Sequence, residues 1–337
     1  MIDGYALEGL AKQVSSGFAR RTTVIRLAGG GHEGIGEDVT YAEEDHAVLQ
    51  DAGAGLPLAG RYTLATFSER LDDLDLFPRP PARSDFRAYR RWAFESAALD
   101  LALRQANRSL ADALGRTPRP LTFVVSLRLG EPPSPEPVRR LLARYPPLRF
   151  KLDATSSWDE ELVAELAALG VVDSIDLKGA YVGTVVDQPP DPALYERVVR
   201  AFPNAWLEDP ALTPETEPVL AAHRDRITWD APIHSVADIE ALPFPPRTVN
   251  VKPSRFATLR ALFDAYDYCQ ARGIGAYGGG QFELGPGRGQ IQYLASVFHP
   301  DAPNDVAPGG FNEPDPPPTL PEPPLPPAAH ATGFRWG

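Results

Sequence analysis

Cysteine is almost absent from this chain of 337 residues. Cys269 stands alone, so no intrachain disulfide and no cysteine-based zinc site is available, and a reducing compartment is the natural setting. Long apolar runs are missing as well. No stretch of about 18 uncharged apolar residues occurs, which excludes a helix built to span a bilayer. Met1-Ile2-Asp3-Gly4 lacks the basic start and apolar core of a secretory signal, and the expectation is a cytoplasmic protein with no membrane partner. Positive charge is short too: the formal net charge is -12 and no Lys/Arg block offsets it, which argues against a nucleic-acid partner. The six histidines are scattered, and none forms the His-Glu-x-x-His pair of a zinc site.

What is present is a beat. Four short apolar runs end in a carboxylate at Asp153, Asp176, Glu208 and Asp230, and a fifth ends in Lys252, at intervals of 23, 32, 22 and 22 residues. That is about the length of one strand-plus-helix unit in a parallel α/β barrel, where groups that end successive strands meet at one mouth. Asp176, Glu208 and Asp230 would point together there and repel one another unless a hard divalent cation neutralised them. The beat therefore predicts Mg²⁺, with Lys252 across from it as a candidate acid/base. The bland alternative makes the same carboxylates caps for the helices that follow.

Residues 1 to about 120 do not follow the rhythm and read as a separate α+β unit. Thr22 to Leu27 alternates as a strand should, Gly29-Gly30-Gly31 reads as a turn into Gly34-Ile35-Gly36-Glu37, and Ser84 to Ala106 carries a helical stripe. Phe123 to Leu127 is the first barrel strand. Ser157-Trp158-Asp159-Glu160 reads as a capping box opening a helix that Gly170 closes, and a second amphipathic stretch runs from Leu259 to Gly273. The expected division is a capping domain over 1–120 with the C-terminal tail contributing, a barrel over 121–312, and a proline-rich extended tail over 313–337.

On these residues the chain resembles the enolase superfamily, in particular its muconate-lactonizing branch of o-succinylbenzoate synthases, N-acylamino acid racemases and dipeptide epimerases. Gly34-Ile35-Gly36-Glu37 is similar to the family's Gly-x-Gly-Glu turn, and Glu95 to Leu101 to its capping-domain helix. Asn250-Val251-Lys252-Pro253-Ser254-Arg255 resembles the strand with a catalytic lysine, and Gly279 to Arg288 the next strand and helix start. The resemblance implies an α/β fold, a modified TIM barrel (β/α)₇β with an N-terminal α+β capping domain. It implies Mg²⁺ on Asp176, Glu208 and Asp230, and removal of an α-proton from a small-molecule carboxylate through an enediolate. A homo-oligomer is compatible with it.

Three departures bear on the chemistry. The family's second-strand Lys-x-Lys is here Lys151-Leu152-Asp153, its third-strand Asp-x-Asn is Asp176-Leu177-Lys178, and the glutamate after the fifth-strand ligand is Ala231. Strand alternation sets Asp153 and Lys178 on facing positions. They are either a relocated pair of catalytic groups beside Lys252 or a neutralising ion pair. Lys151, Gly280 and Glu283 are the candidate substrate contacts, although Gly280 also suits close backbone packing and Glu283 a supporting role. With one lysine base missing, a one-base lyase or dehydratase of the o-succinylbenzoate synthase kind comes first. The alternatives are a racemase or epimerase of N-acylamino acids or dipeptides, and a catalytically degraded protein that binds metal or a small acid. Substrate identity would rest on the capping loops around Gln13 to Arg20 and Gly29 to Glu37.

Overall fold

The computed structural model describes residues 1–14, 18–184 and 186–337. Residues 15–17 of the Gln13 to Arg20 loop lie outside the described residues. Strands β1 (Gly4–Gln13), β2 (Ala19–Gly29) and β3 (His32–Asp38) form an antiparallel sheet, followed by α1 (Glu43–Ala52), α2 (Leu64–Asp72), α3 (Phe86–Gln105) and α4 (Leu110–Leu114). Gly30 and Gly31 take positive φ in the β2–β3 turn, as glycine does without steric cost. Gly34 and Gly36 act differently: a Cβ on either would strike the backbone of α3 at Ala97 or Ala93, so the Gly-x-Gly pattern lets α3 lie against the sheet.

The second unit alternates strand and helix: β4 (Val125–Leu127), α5 (Glu136–Arg144), β5 (Phe150–Asp153), α6 (Glu160–Leu169), β6 (Val172–Asp176), α7 (Pro192–Ala201), β7 (Trp206–Glu208), α8 (Glu217–Leu220), β8 (Ile227–Thr228), α9 (Val236–Glu240), β9 (Thr248–Val251), α10 (Leu259–Arg272), β10 (Gly275–Gly278) and α11 (Pro286–Phe298). β4 to β8 pair in parallel in chain order, and β9 pairs with β10. Asn250 N–H donates to Trp229 O at 2.9 Å and links the two sheets. Asn304 and Asp305 then bridge Phe123 on one side and Gly279 on the other, both in parallel, and close the ring as its eighth, two-residue strand. This is the (β/α)₇β arrangement anticipated from the sequence. Phe150, Leu152, Ile175, Leu207, Val249 and Val251 are buried strand residues of one large core that the helices cover, while Ile25, Leu27, Phe94 and Ala97 anchor a smaller core in the capping unit.

One boundary differs from the sequence reading. Asp159, not Ser157, caps α6, its carboxylate accepting from Leu162 N–H at 2.9 Å. Ser157 Oγ is within hydrogen-bond distance of Thr155 Oγ1 instead, and the helix opens two residues later than the capping box required. The tail runs through bends and turns without helix or strand, and folds back where Ala329 bridges Trp336 antiparallel. Leu325 and Leu121 exchange backbone hydrogen bonds, the Tyr145 hydroxyl donates to Pro317 O, and Arg335 pairs with Asp100 at 2.9 Å, so the tail straps barrel and cap together. No helix among the described residues is long and apolar enough to cross a membrane.

The closing strand is pinned by a buried polar cluster. Asn304 Oδ1 accepts from Gly278 N–H and from His299 Nδ1, both at 2.6 Å, while His299 Nε2 lies 3.1 Å from the Tyr266 hydroxyl. The neutral ring satisfies both partners, and burial pushes His299 down to about 4. The sign follows. Between about 4 and the unfolded value near 6.5 the unfolded chain binds the extra proton, so this stability is complete above 6.5 and is lost as pH falls through 4. His299→Gln should flatten the pH dependence of the urea midpoint in that window, a difference of about 3 kcal/mol at full effect; identical slopes in both proteins would contradict it.

Candidate active site

Register assembles the mouth. Asp153 pairs with Asp176 and Asp176 with Glu208 across β5, β6 and β7, so three acidic side chains occupy one layer at the C-terminal ends of neighbouring strands. Asp230 follows β8 by two residues and Lys252 follows β9 by one. Asp176, Glu208 and Asp230 are wholly buried, and each is met by protein donors.

Lys151 lies deepest. Its ammonium contacts Glu208 directly, with Asp176 at 3.3 Å and Asp305 at 3.6 Å. Burial opposes its charge, but Glu208 and Asp176 outweigh burial and raise it well above the ordinary lysine range. Glu208 also accepts from the Tyr277 hydroxyl and from Asn250 Nδ2 at 3.3 Å. Burial, opposed by Lys151 and reinforced by Asp176 and Asp230, pushes Glu208 up to about 8. For Asp176 burial is outweighed by Lys178 and Lys151, which hold it below the usual carboxylate range.

Asp230 is the most heavily clasped. Its Oδ2 accepts from Lys252 Nζ and from the Tyr181 hydroxyl, each at 2.8 Å, and Arg255 Nη1 meets its Oδ1 at 2.8 Å. Against burial, Arg255 and Lys252 hold Asp230 well below the usual range. Gly279 leaves the room that Lys252 needs, since a Cβ there would lie 2.6 Å from Lys252 Cε. Asp209 turns away from the mouth in the left-handed region, φ 47°, and accepts from Asp230 N–H at 2.9 Å and Ala231 N–H at 2.8 Å. It pins the end of β8, and burial together with Asp230 pushes it up to about 7.

Asp153 and Lys178 meet, Nζ to Oδ1 at 3.3 Å, although the register sets Asp153 opposite Asp176 and Lys178 lies two residues past β6 in the left-handed region, φ 55°. Lys178 also bonds Asp176 through both its ammonium and its backbone N–H, and Asp153 accepts from Arg128 Nε at 3.0 Å. Against burial, Asp153 and Asp176 raise Lys178. Of the candidate substrate contacts, Lys151 is buried among carboxylates. Glu283 pairs with Arg288 at 3.1 Å and accepts from Gln281 N–H, and a Cβ on Gly280 would fall 2.7 Å from Glu283 Oε2. The last two therefore serve the packing of the loop before α11. Sequence reading missed Arg128, Tyr181 and Tyr277, none of which sits at a beat position; only the barrel geometry brings them to the mouth.

The donor set suits a hard cation. Asp176, Glu208 and Asp230 offer only carboxylate oxygens, the ligands Mg²⁺ takes, at one buried mouth where burial pushes Glu208 upward. Among the described residues no three acidic or histidine side chains already surround a single point, because ammonium groups lie against all three carboxylates.

Two family profiles match the chain, the N-terminal domain of a domain of unknown function (DUF8230) over residues 1–113 and its C-terminal domain over residues 117–313. The chain belongs to this family. It is also similar to an N-succinylamino acid racemase of Amycolatopsis, 29% identical over 306 residues that cover 86% of this chain and 79% of the relative. Among solved structures, an enolase-superfamily member from Listeria innocua superposes with a TM-score of 0.68 at 19% identity, covering 91% of this chain and 85% of that one. A dipeptide epimerase from Methylococcus capsulatus, complexed with Mg, gives 0.65 at 19% identity over 93% of this chain and 87% of its own. The structural neighbours are thus enolase-superfamily members, and the fold of this chain is theirs.

Proposed function

We propose that this chain removes the α-proton of a small-molecule carboxylate, with Lys252 as the proton-transfer group and Mg²⁺ held by Asp176, Glu208 and Asp230. The observation that carries the reading is Lys252 itself: a buried lysine at the strand ends, 2.8 Å from Asp230, with the room for its side chain left by Gly279. Mg²⁺ when bound would supply the positive charge that holds a substrate carboxylate and offsets the negative charge arising as the proton leaves. Lys252 takes and returns that proton. Lys178 is held between two carboxylates, against the one that Lys252 meets, which makes Lys178 the weaker candidate for a base on the opposite face, and Asp153 is tied to Arg128 and Lys178. Proton transfer from one face favours a lyase or dehydratase of the o-succinylbenzoate synthase kind. A racemase of N-acylamino acids is the second reading, favoured by the N-succinylamino acid racemase relative, and requires Asp153 to serve as a second base.

The metal assignment has a direct test. Saturating Mg²⁺ should raise the thermal midpoint by about 5 °C, since a ligand bound only by the folded chain stabilises it by mass action. Asp176→Asn, Glu208→Gln and Asp230→Asn should each diminish that rise. Three variants that respond to Mg²⁺ as the parent does would remove the assignment.

A further inference from the structure

Arg128 follows β4 at the rim of the mouth and is the most solvent-accessible cation there, its side chain 47% exposed against 14% for Lys178 and 9% for Lys252. Among the described residues it makes one hydrogen bond, from Nε to Asp153 Oδ2 at 3.0 Å. Among the described residues its two terminal nitrogens have no protein acceptor. Asp153 thus fixes the guanidinium by its inner edge and leaves the paired outer donors unused, the geometry with which arginine takes a carboxylate in two parallel bonds. On its other oxygen the same Asp153 holds Lys178 at 3.3 Å, so one carboxylate carries two cations side by side. Lys178 turns its ammonium inward to Asp176 as well, whereas Arg128 meets Asp153 through Nε and keeps Nη1 and Nη2 on the solvent side, open to a ligand.

We infer that Arg128 is a specificity-determining residue that receives a second anionic group on the substrate, remote from the reacting α-carbon. The inference rests on the reading of the mouth given above and narrows its substrate class to dianions, a carboxylate at the reacting end and another on the far arm. The replacement of a second-strand base by Asp153 gains a function on this view: the aspartate orients Arg128.

The test compares N-succinyl and N-acetyl derivatives of one amino acid, which differ in that second carboxylate. In deuterated buffer with Mg²⁺ the parent should favour the N-succinyl compound in kcat/KM for α-proton exchange by about 10- to 100-fold, the worth of a charge-assisted contact. Arg128→Gln should erase most of that preference through KM, and Arg128→Lys should restore part of it. A parent with no preference, or a preference that survives in Arg128→Gln, overturns the role of Arg128 while leaving α-proton chemistry intact. If neither compound exchanges, the α-proton reading fails and thermal shift decides the inference. Glutarate should then stabilise the parent more than butyrate and lose that advantage in Arg128→Gln; equal shifts would overturn it.

Discussion

Replacing Lys252 by alanine is expected to lower α-proton exchange by about 10²- to 10⁴-fold, the usual contribution of a positioned acid/base group. The fold should survive, because Asp230 retains Arg255 and the Tyr181 hydroxyl as partners. The response of the thermal midpoint to Mg²⁺ should survive too, since the three carboxylates remain. Lys252→Arg is expected to be as inactive as the alanine variant, because guanidinium does not give up its proton at accessible pH. Exchange in the parent should be confined to one substrate enantiomer, as one base reaches one face. Equal exchange from both enantiomers would put Asp153 on the second face and replace the lyase reading by a racemase. Activity within tenfold of the parent in Lys252→Ala would remove this lysine from the chemistry.

The largest effect on stability is expected at Lys151. Its ammonium is buried between Glu208, Asp176 and Asp305, and Lys151→Met would leave those acids facing one another without it. Breaking a buried ion pair from one side costs about 3–5 kcal/mol, mostly the penalty of an uncompensated charge. Urea unfolding in EDTA should show a loss of that size. The double variant Lys151→Met with Glu208→Gln should recover part of it, because one of the stranded charges is gone. A single variant within about 1 kcal/mol of the parent would mean that the carboxylates are already protonated or screened.

The chain order of the barrel was legible because its strand endings recur and because each ends in an ionisable residue, Asp153, Asp176, Glu208, Asp230 or Lys252. Period-two alternation anticipated that Asp153 and Lys178 would meet, and their charged groups do lie 3.3 Å apart, but the register sets Asp153 against Asp176 and Lys178 reaches back from beyond the end of β6. The Gly-x-Gly pattern signalled a close approach without saying to what; the answer, the backbone of α3, is a tertiary contact. Asp159 displaced Ser157 as the α6 cap because both suit that place and the choice depends on where the preceding loop ends. Three features of the mouth carried no local signal. Lys151 reads as a mouth residue by alternation, yet its ammonium turns inward to Glu208. Tyr181 and Tyr277 reach Asp230 and Glu208 from a loop and from β10, positions set by the closed ring. Asn304 and Asp305, the eighth strand, are too short to show any period, and only their pairing with Phe123 and Gly279 identifies them.

The proposed chemistry turns on α-proton removal. Its most direct test is proton NMR of N-acylamino acids, dipeptides and succinylbenzoate precursors in deuterated buffer, with Mg²⁺ and again with EDTA. The expected result is loss of the α-proton signal from at least one compound with Mg²⁺, abolished by EDTA and by Lys252→Ala. A chain that gains thermal stability from Mg²⁺ yet exchanges no α-proton in any of these compounds would contradict the account and leave a barrel that binds a cation without turnover.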